Sequence, residues 1–147
     1  MAEFSKEINS TFPNERVKAL LNIKFTANYL DTIGASMLKP FNISEQQYNI
    51  LRILRGAKEA ITVNSVKERM VQKSPNSTRL MDKLCDKGLI ERTRCENDRR
   101  VVYVKINAKG LALLEEIKID DFENYLNSIS DKEAKVLNEL LDKIREK

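Results

Sequence analysis

The sequence predicts a mainly α-helical fold with one small β-hairpin, and two observations carry that expectation. Apolar residues recur at spacings of three and four over most of the chain, and the period drops to two only between Leu89 and Ile106. A third observation, the placement of side chains able to cap helix ends, divides the helical part into separate elements.

Asn14 can accept from the free amides of a helix over 14–39, where Val17, Leu20, Leu21, Phe25, Ile33 and Met37 fall mostly at helical spacing and Pro40 stops the element. Ser44-Glu45-Gln46-Gln47 reads as a capping box, with Ile43 and Tyr48 at the positions of a hydrophobic staple. Ile50, Leu51, Ile53 and Leu54 then give the second helix a wide apolar face, and Gly56 is expected to end it in the left-handed conformation. Thr62 can cap a third helix of about two turns, striped by Val63, Val66 and Met70. Ser74 followed by Pro75 marks a fourth helix start, because the hydroxyl satisfies free amides and proline suits the first helical position. Leu80, Met81, Leu84 and Cys85 form its apolar face, and Gly88 terminates it. Strands follow over Leu89–Arg94 and Val101–Ile106, around the charged tip Cys95–Arg100. Two helices close the chain, one from Asn107 to about Asn127 and one opened by the capping box Ser130-Asp131-Lys132-Glu133, with Leu137, Leu140, Leu141 and Ile144 on one face.

The composition, 41% hydrophobic and 33% charged over 147 residues, fits a single soluble globular domain. No apolar run reaches the ~18 residues of a membrane span, and Met1–Ser10 alternates charge with apolarity, so the cytoplasm is the expected compartment. With two cysteines and no histidine, neither a disulfide scaffold nor a zinc cage is expected, and no other metal or cofactor is called for. An enzyme is a poor fit: histidine for proton transfer is absent, and the 4 glycines build no phosphate loop.

Charge is segregated along the chain. Residues 52–110 hold 15 basic and 7 acidic residues, net +8, whereas the flanks hold 11 and 15, net −4. A basic middle between acidic flanks implies one region facing a polyanion and another doing different work.

Two short helices joined by a tight turn, followed by a hairpin with a basic tip, is the order of a winged helix-turn-helix. The second helix of such a pair enters the DNA major groove by its amino-terminal end. Here that end offers Lys73, Ser74, Asn76, Ser77, Thr78 and Arg79, with Lys83 one turn on from Arg79; the small hydroxyl and amide groups permit close approach, and Arg79 is the candidate base reader, towards guanine. Arg99 and Arg100 at the hairpin tip can reach a minor groove, with Arg94 adding positive charge along with Arg92. Asp98 would repel phosphate, so it is expected to pair inside the protein, holding an adjacent arginine or another wing group.

From Gln47 to Gly110 the chain resembles the DNA-binding core of the MarR (multiple antibiotic resistance regulator) family. The resemblance rests on Leu84-Cys85-Asp86-Lys87-Gly88-Leu89-Ile90-Glu91-Arg92, on Asp98-Arg99-Arg100 and on Ile106-Asn107-Ala108-Lys109-Gly110. In the last stretch the family usually has Leu-Thr where this chain has Ile106 and Asn107, replacements that keep an apolar strand end and a capping side chain. The resemblance implies a homodimer on double-stranded DNA, with residues 1–43 and 107–147 as a helical dimerisation region and 44–106 as the winged helix-turn-helix, all in one continuous domain. It also implies a repressor of a palindromic operator, released by a small aromatic or anionic effector; the candidate pocket residues are Phe25, Tyr29, Phe41, Tyr48 and Arg52. Two other readings fit the residues: a winged-helix module that docks proteins without specific DNA binding, and a redox-responsive regulator using Cys95, which Arg94 flanks.

Overall fold

The computed structural model describes residues 3–118, 122 and 124–146, which fall into two compact units, 1–114 and 115–147. In the first unit a short helix α1 (Phe4–Glu7) precedes the long α2 (Glu15–Leu38), a 3-10 turn at Lys39–Phe41, and α3 (Glu45–Ala57). Strand β1 (Ile61–Thr62), α4 (Val63–Arg69), α5 (Ser77–Asp86), β2 (Ile90–Arg94), β3 (Val102–Ile106) and α6 (Ala108–Glu116), whose last two residues belong to the second unit, follow. The second unit contains a 3-10 turn at Asn124–Leu126 and the helix α7 (Asp131–Arg145).

Local side chains set most boundaries. Asn14 Oδ1 accepts from the Val17 amide at 3.0 Å, and Thr62 Oγ1 accepts from the Ser65 amide at 3.1 Å. Ser44 with Gln47 and Ser130 with Glu133 both form complete capping boxes. At the end of α5, Gly88 takes φ +71°, while Leu89 N bonds Leu84 O and Gly88 N bonds Cys85 O, the paired bonds of a Schellman stop. That stop turns the chain directly into β2.

The core of the first unit lies where α3, α4 and α5 meet the sheet. Ile50, Leu51, Leu54, Val66, Met81, Leu84 and Val104 are almost wholly buried, each removal from water contributing about 1.5–3 kcal/mol. Sheet order is β1-β3-β2, all antiparallel, with Ile90 opposite Ile106, Arg94 opposite Val102 and Thr62 opposite Tyr103.

Three expectations from the sequence are corrected here, and a short strand joins the expected hairpin. α3 runs past Gly56 to Ala57, and the left-handed residue is Lys58, φ 61°. The regular turns of α5 begin at Ser77, because Ser74 and Pro75 open a turn in which Ser74 Oγ accepts from the Asn76 amide. β1 has only two residues, too few to show a period, and its partner lies some forty positions away in β3. The helix expected from Asn107 to about Asn127 ends at Glu116; residues 119–121 and 123 of that stretch lie outside the described residues.

Two apolar surfaces are left uncovered. On α2, Leu20, Leu21, Ile23, Phe25, Tyr29 and Leu30 are exposed; on α7, Val136, Leu137, Leu140 and Ile144 are. Among the described residues no helix is long and apolar enough to cross a membrane.

Candidate nucleic-acid interface

α5 is amphipathic in a way that fixes what it presents. Met81 and Leu84 point into the core, the Schellman stop fixes its far end, and Asn76, Thr78, Arg79 and Lys83 are left exposed. Lys73 is exposed in the preceding turn, its amine donating to Glu68 O at 3.2 Å, and Ser74 is half-buried.

Ser77 departs from the expected contact set. It is 1% exposed, and its hydroxyl donates to Ser74 O at 2.7 Å. A side chain so spent holds the turn into α5 and offers nothing to a base edge.

The hairpin tip is organised by its acid. Asp98 Oδ1 accepts from the Arg100 amide at 3.0 Å, Asp98 O accepts from the Val101 amide at 3.0 Å, and the Cys95 amide donates to Val101 O at 2.9 Å. The carboxylate therefore holds main chain, as in an Asx turn, and among the described residues it makes no ion pair with an arginine side chain. Arg94, Arg99 and Arg100 are exposed around this closed loop. Arg92 is engaged elsewhere, its guanidinium paired with Asp82 on α5, a tie between hairpin and helix that period and composition do not signal.

The hairpin base is fastened as firmly. Asn107 Nδ2 donates to Gly88 O at 2.6 Å while its Oδ1 accepts from the Gly110 amide at 2.9 Å. One side chain thus caps α6 and grips the turn between α5 and β2. Gly110 packs so closely that a Cβ there would overlap Leu89 O.

The five candidate pocket residues stand in different surroundings among the described residues. The Phe25 ring packs against Phe4, centroids 5.3 Å apart, and Phe4 stacks on Phe12 at 5.3 Å, so Phe25 covers the amino-terminal segment. Tyr29 is 58% exposed, Phe41 is half-buried, and Tyr48 is buried in the core with the Arg52 guanidinium 5.8 Å above its ring. A cleft of about 690 Å³ opens instead between the end of α2, the start of α3 and α5. Its lining includes Ser36, Lys39, Asn42, Leu80, Lys83 and Lys87 and contains no carboxylate. Lys87 Nζ donates to Asn42 O across it. Lys39 and Lys87 sit at helix ends, where lysine is usual for dipole reasons, so nothing in the sequence distinguishes them as cleft residues.

The MarR family profile matches residues 43–102, which span α3 to the start of β3. The multiple antibiotic resistance protein MarR of Salmonella typhimurium is 31% identical over 116 residues, 79% of this chain and 76% of that protein. The chain belongs to the MarR family. Another relative, the HTH-type transcriptional regulator FarR of Neisseria gonorrhoeae, is 30% identical over 89 residues, a match spanning 60% of either protein. Among solved structures, a mutant MarR from E. coli complexed with operator DNA superposes with TM-score 0.78 at 28% identity, covering 93% of this chain and 100% of that one. The chain is thus a MarR-family transcription regulator with the winged-helix fold of that family.

Proposed function

We propose that the chain binds duplex DNA sequence-specifically as a twofold homodimer and represses transcription in the cytoplasm by occluding a promoter. The observation that carries this reading is the joint exposure of Asn76, Thr78 and Arg79 at the start of α5 and of Arg94, Arg99 and Arg100 on the hairpin. One polyanion explains both sets, through base edges for the helix and phosphate or minor groove for the hairpin. The likeness to MarR crystallised on operator DNA supports it.

Dimerisation rests on the apolar faces of α2 and α7, which a lone monomer would leave in water. Residues 1–43 and 107–147 then serve the dimer and 44–106 the DNA. Release is proposed to follow binding of a small anionic effector in the cleft of Lys39, Lys83 and Lys87, three cations beside apolar Leu80.

The deciding experiment is selection of bound duplexes from a random pool at near-physiological salt, the unaltered protein against an Arg99→Ala, Arg100→Ala double variant. A symmetric consensus with half-sites about 10–10.5 base pairs apart, recovered only by the unaltered protein, is expected. Enrichment no better than non-specific binding would sink the reading.

A further inference from the structure

In residues 71–76, which lead into the amino end of α5, every side chain is exposed except that of half-buried Ser74. The burial that seats α5 starts at Ser77 and continues through Met81 and Leu84. A segment with so little apolar anchoring is held in place by its hydrogen bonds, and three of them reach to other elements. Lys73 Nζ donates back to Glu68 O on α4 at 3.2 Å. The Val71 amide donates to Asn49 Oδ1 on α3 at 3.0 Å. Gln72 Nε2 donates to Asp31 Oδ1 on α2 at 3.0 Å, across 41 positions of sequence. Of the three, this last bond leaves the region 44–106 and ties the turn to α2.

The α2 end of that bond is firmly placed. Gly34 and Leu38, about one and two turns beyond Asp31, are buried. Glycine is a poor choice inside a helix, and here it makes room for Glu45, whose side chain reaches over from the first turn of α3 and would be overlapped by a Cβ on Gly34. On its other side Asp31 directly follows Leu30, the end of the exposed apolar face that begins at Leu20. A hollow of about 330 Å³, lined by Asp31, Ala35, Glu45 and Gln72 among others, lies at the junction, so the bond spans a gap that packing leaves open.

We propose that Asp31 and Gln72 are positioning residues for operator recognition: their hydrogen bond ties the amino end of α5 to the dimerisation helix and so sets which half-site spacing the dimer accepts. The inference rests on the dimeric DNA-binding reading above and adds to it the link that carries the spacing. Moving one half-site by a single base pair displaces it by about 3.4 Å along the duplex and about 35° around it. A turn tied to α2 resists following that displacement, whereas a turn held only by α3 and α4 can follow. The bond touches no base in this arrangement, so it governs spacing and leaves the bases read to α5 itself.

The test measures affinity for the selected operator and for duplexes with its half-sites one base pair closer or farther apart. It compares the unaltered protein with Asp31→Ala, Gln72→Ala, the double variant and Asp31→Asn. The unaltered protein should favour its own spacing. Each alanine variant should lose about three- to tenfold of that preference, the scale of one hydrogen bond, with the base consensus unchanged. The double variant should lose no more than either single one, because the same bond is removed. Asp31→Asn, whose amide oxygen still accepts from Gln72, should keep the preference. The preference is a ratio of affinities, so the charge that the Asp31 variants remove cancels from it, and a merely structural loss would weaken every spacing alike. Preference retained in the alanine variants, or lost equally in Asp31→Asn, overturns the inference.

Hydrogen exchange of amides 71–74 in the DNA-free protein judges the bond without nucleic acid. Both alanine variants should exchange these amides faster than the unaltered protein and Asp31→Asn. Unchanged exchange means that the bond does not hold the turn, and overturns the inference whatever the duplexes show. If exchange rises as expected and the unaltered protein binds no duplex, the DNA-binding reading fails and the positioning role falls with it.

Discussion

The Arg92 guanidinium on β2 is paired with the Asp82 carboxylate on α5, joining hairpin to helix at a point where both side chains remain 40% and 46% exposed. An ion pair so open to water contributes at most about 1 kcal/mol to stability. Its use is orientation, since it fixes the angle between two elements that must meet one duplex together.

Arg92 and the tip arginines are therefore expected to separate experimentally. Arg99→Ala and Arg100→Ala should each lower the log-log salt slope of duplex binding by about 1 per subunit, the signature of a lost phosphate contact. Arg92→Ala should leave that slope nearly unchanged, because its guanidinium is already occupied by Asp82. Fluorescence anisotropy titrations at several salt concentrations measure all three; equal slope losses would mean that Arg92 contacts phosphate too.

Arg79 and Ser77 should differ in kind. Arg79→Ala is expected to relax preference at one position of each half-site, costing on the order of 1–3 kcal/mol per base pair read. Ser77→Ala removes the buried hydrogen bond to Ser74 O and should lower stability by about 1 kcal/mol with the recovered consensus unchanged. Duplex selection beside urea unfolding distinguishes the two.

Gly110→Ala should destabilise by about 1–3 kcal/mol, the usual range for overpacking. The added methyl would overlap Leu89 O and lie 2.7 Å from Ile106 Cγ1, and neither backbone nor strand can retreat without loosening the hold of Asn107 on Gly88. Urea denaturation with an unchanged m value checks it, and wild-type stability in the variant would contradict the packing described.

Cys85 should resist alkylation at neutral pH and react freely on unfolding. Burial foremost pushes its thiol above the usual value; Arg92 opposes that, and Asp82 and Asp86 add to it. Because the folded value is raised, the neutral thiol's contribution persists below the unfolded value and is lost as pH rises through the folded one. Arg92→Ala should slow alkylation further, which iodoacetamide kinetics would show; faster labelling would put Cys85 in a different environment.

What the sequence revealed and concealed follows the range of the forces involved. Caps at Asn14, Ser44, Thr62 and Ser130 act over three residues, so their side chains announce them. β1 is invisible because its two residues are strand only by virtue of β3. The burial of Ser77 is legible in its spacing, four residues before Met81 and seven before Leu84 on the same stripe, although a hydroxyl suggests the opposite face. The packing of Phe4 against Phe25 is a distant contact that nothing near Phe25 in the chain reveals. Gly34 is similar, a helix interruption until Glu45 is seen to lie against it.

β2 forms one outer edge of a three-stranded sheet, and its last four residues, Glu91, Arg92, Thr93 and Arg94, are all exposed. An edge with unpaired amides and carbonyls is a template on which another chain's strand can add, and charged side chains are the common deterrent. The arginines of the hairpin thus guard against self-association of sheets. Replacing Arg92 and Arg94 by apolar residues, a natural way to weaken nucleic-acid contact, would also open that edge to aggregation, so loss of function in such a variant would have two causes at once.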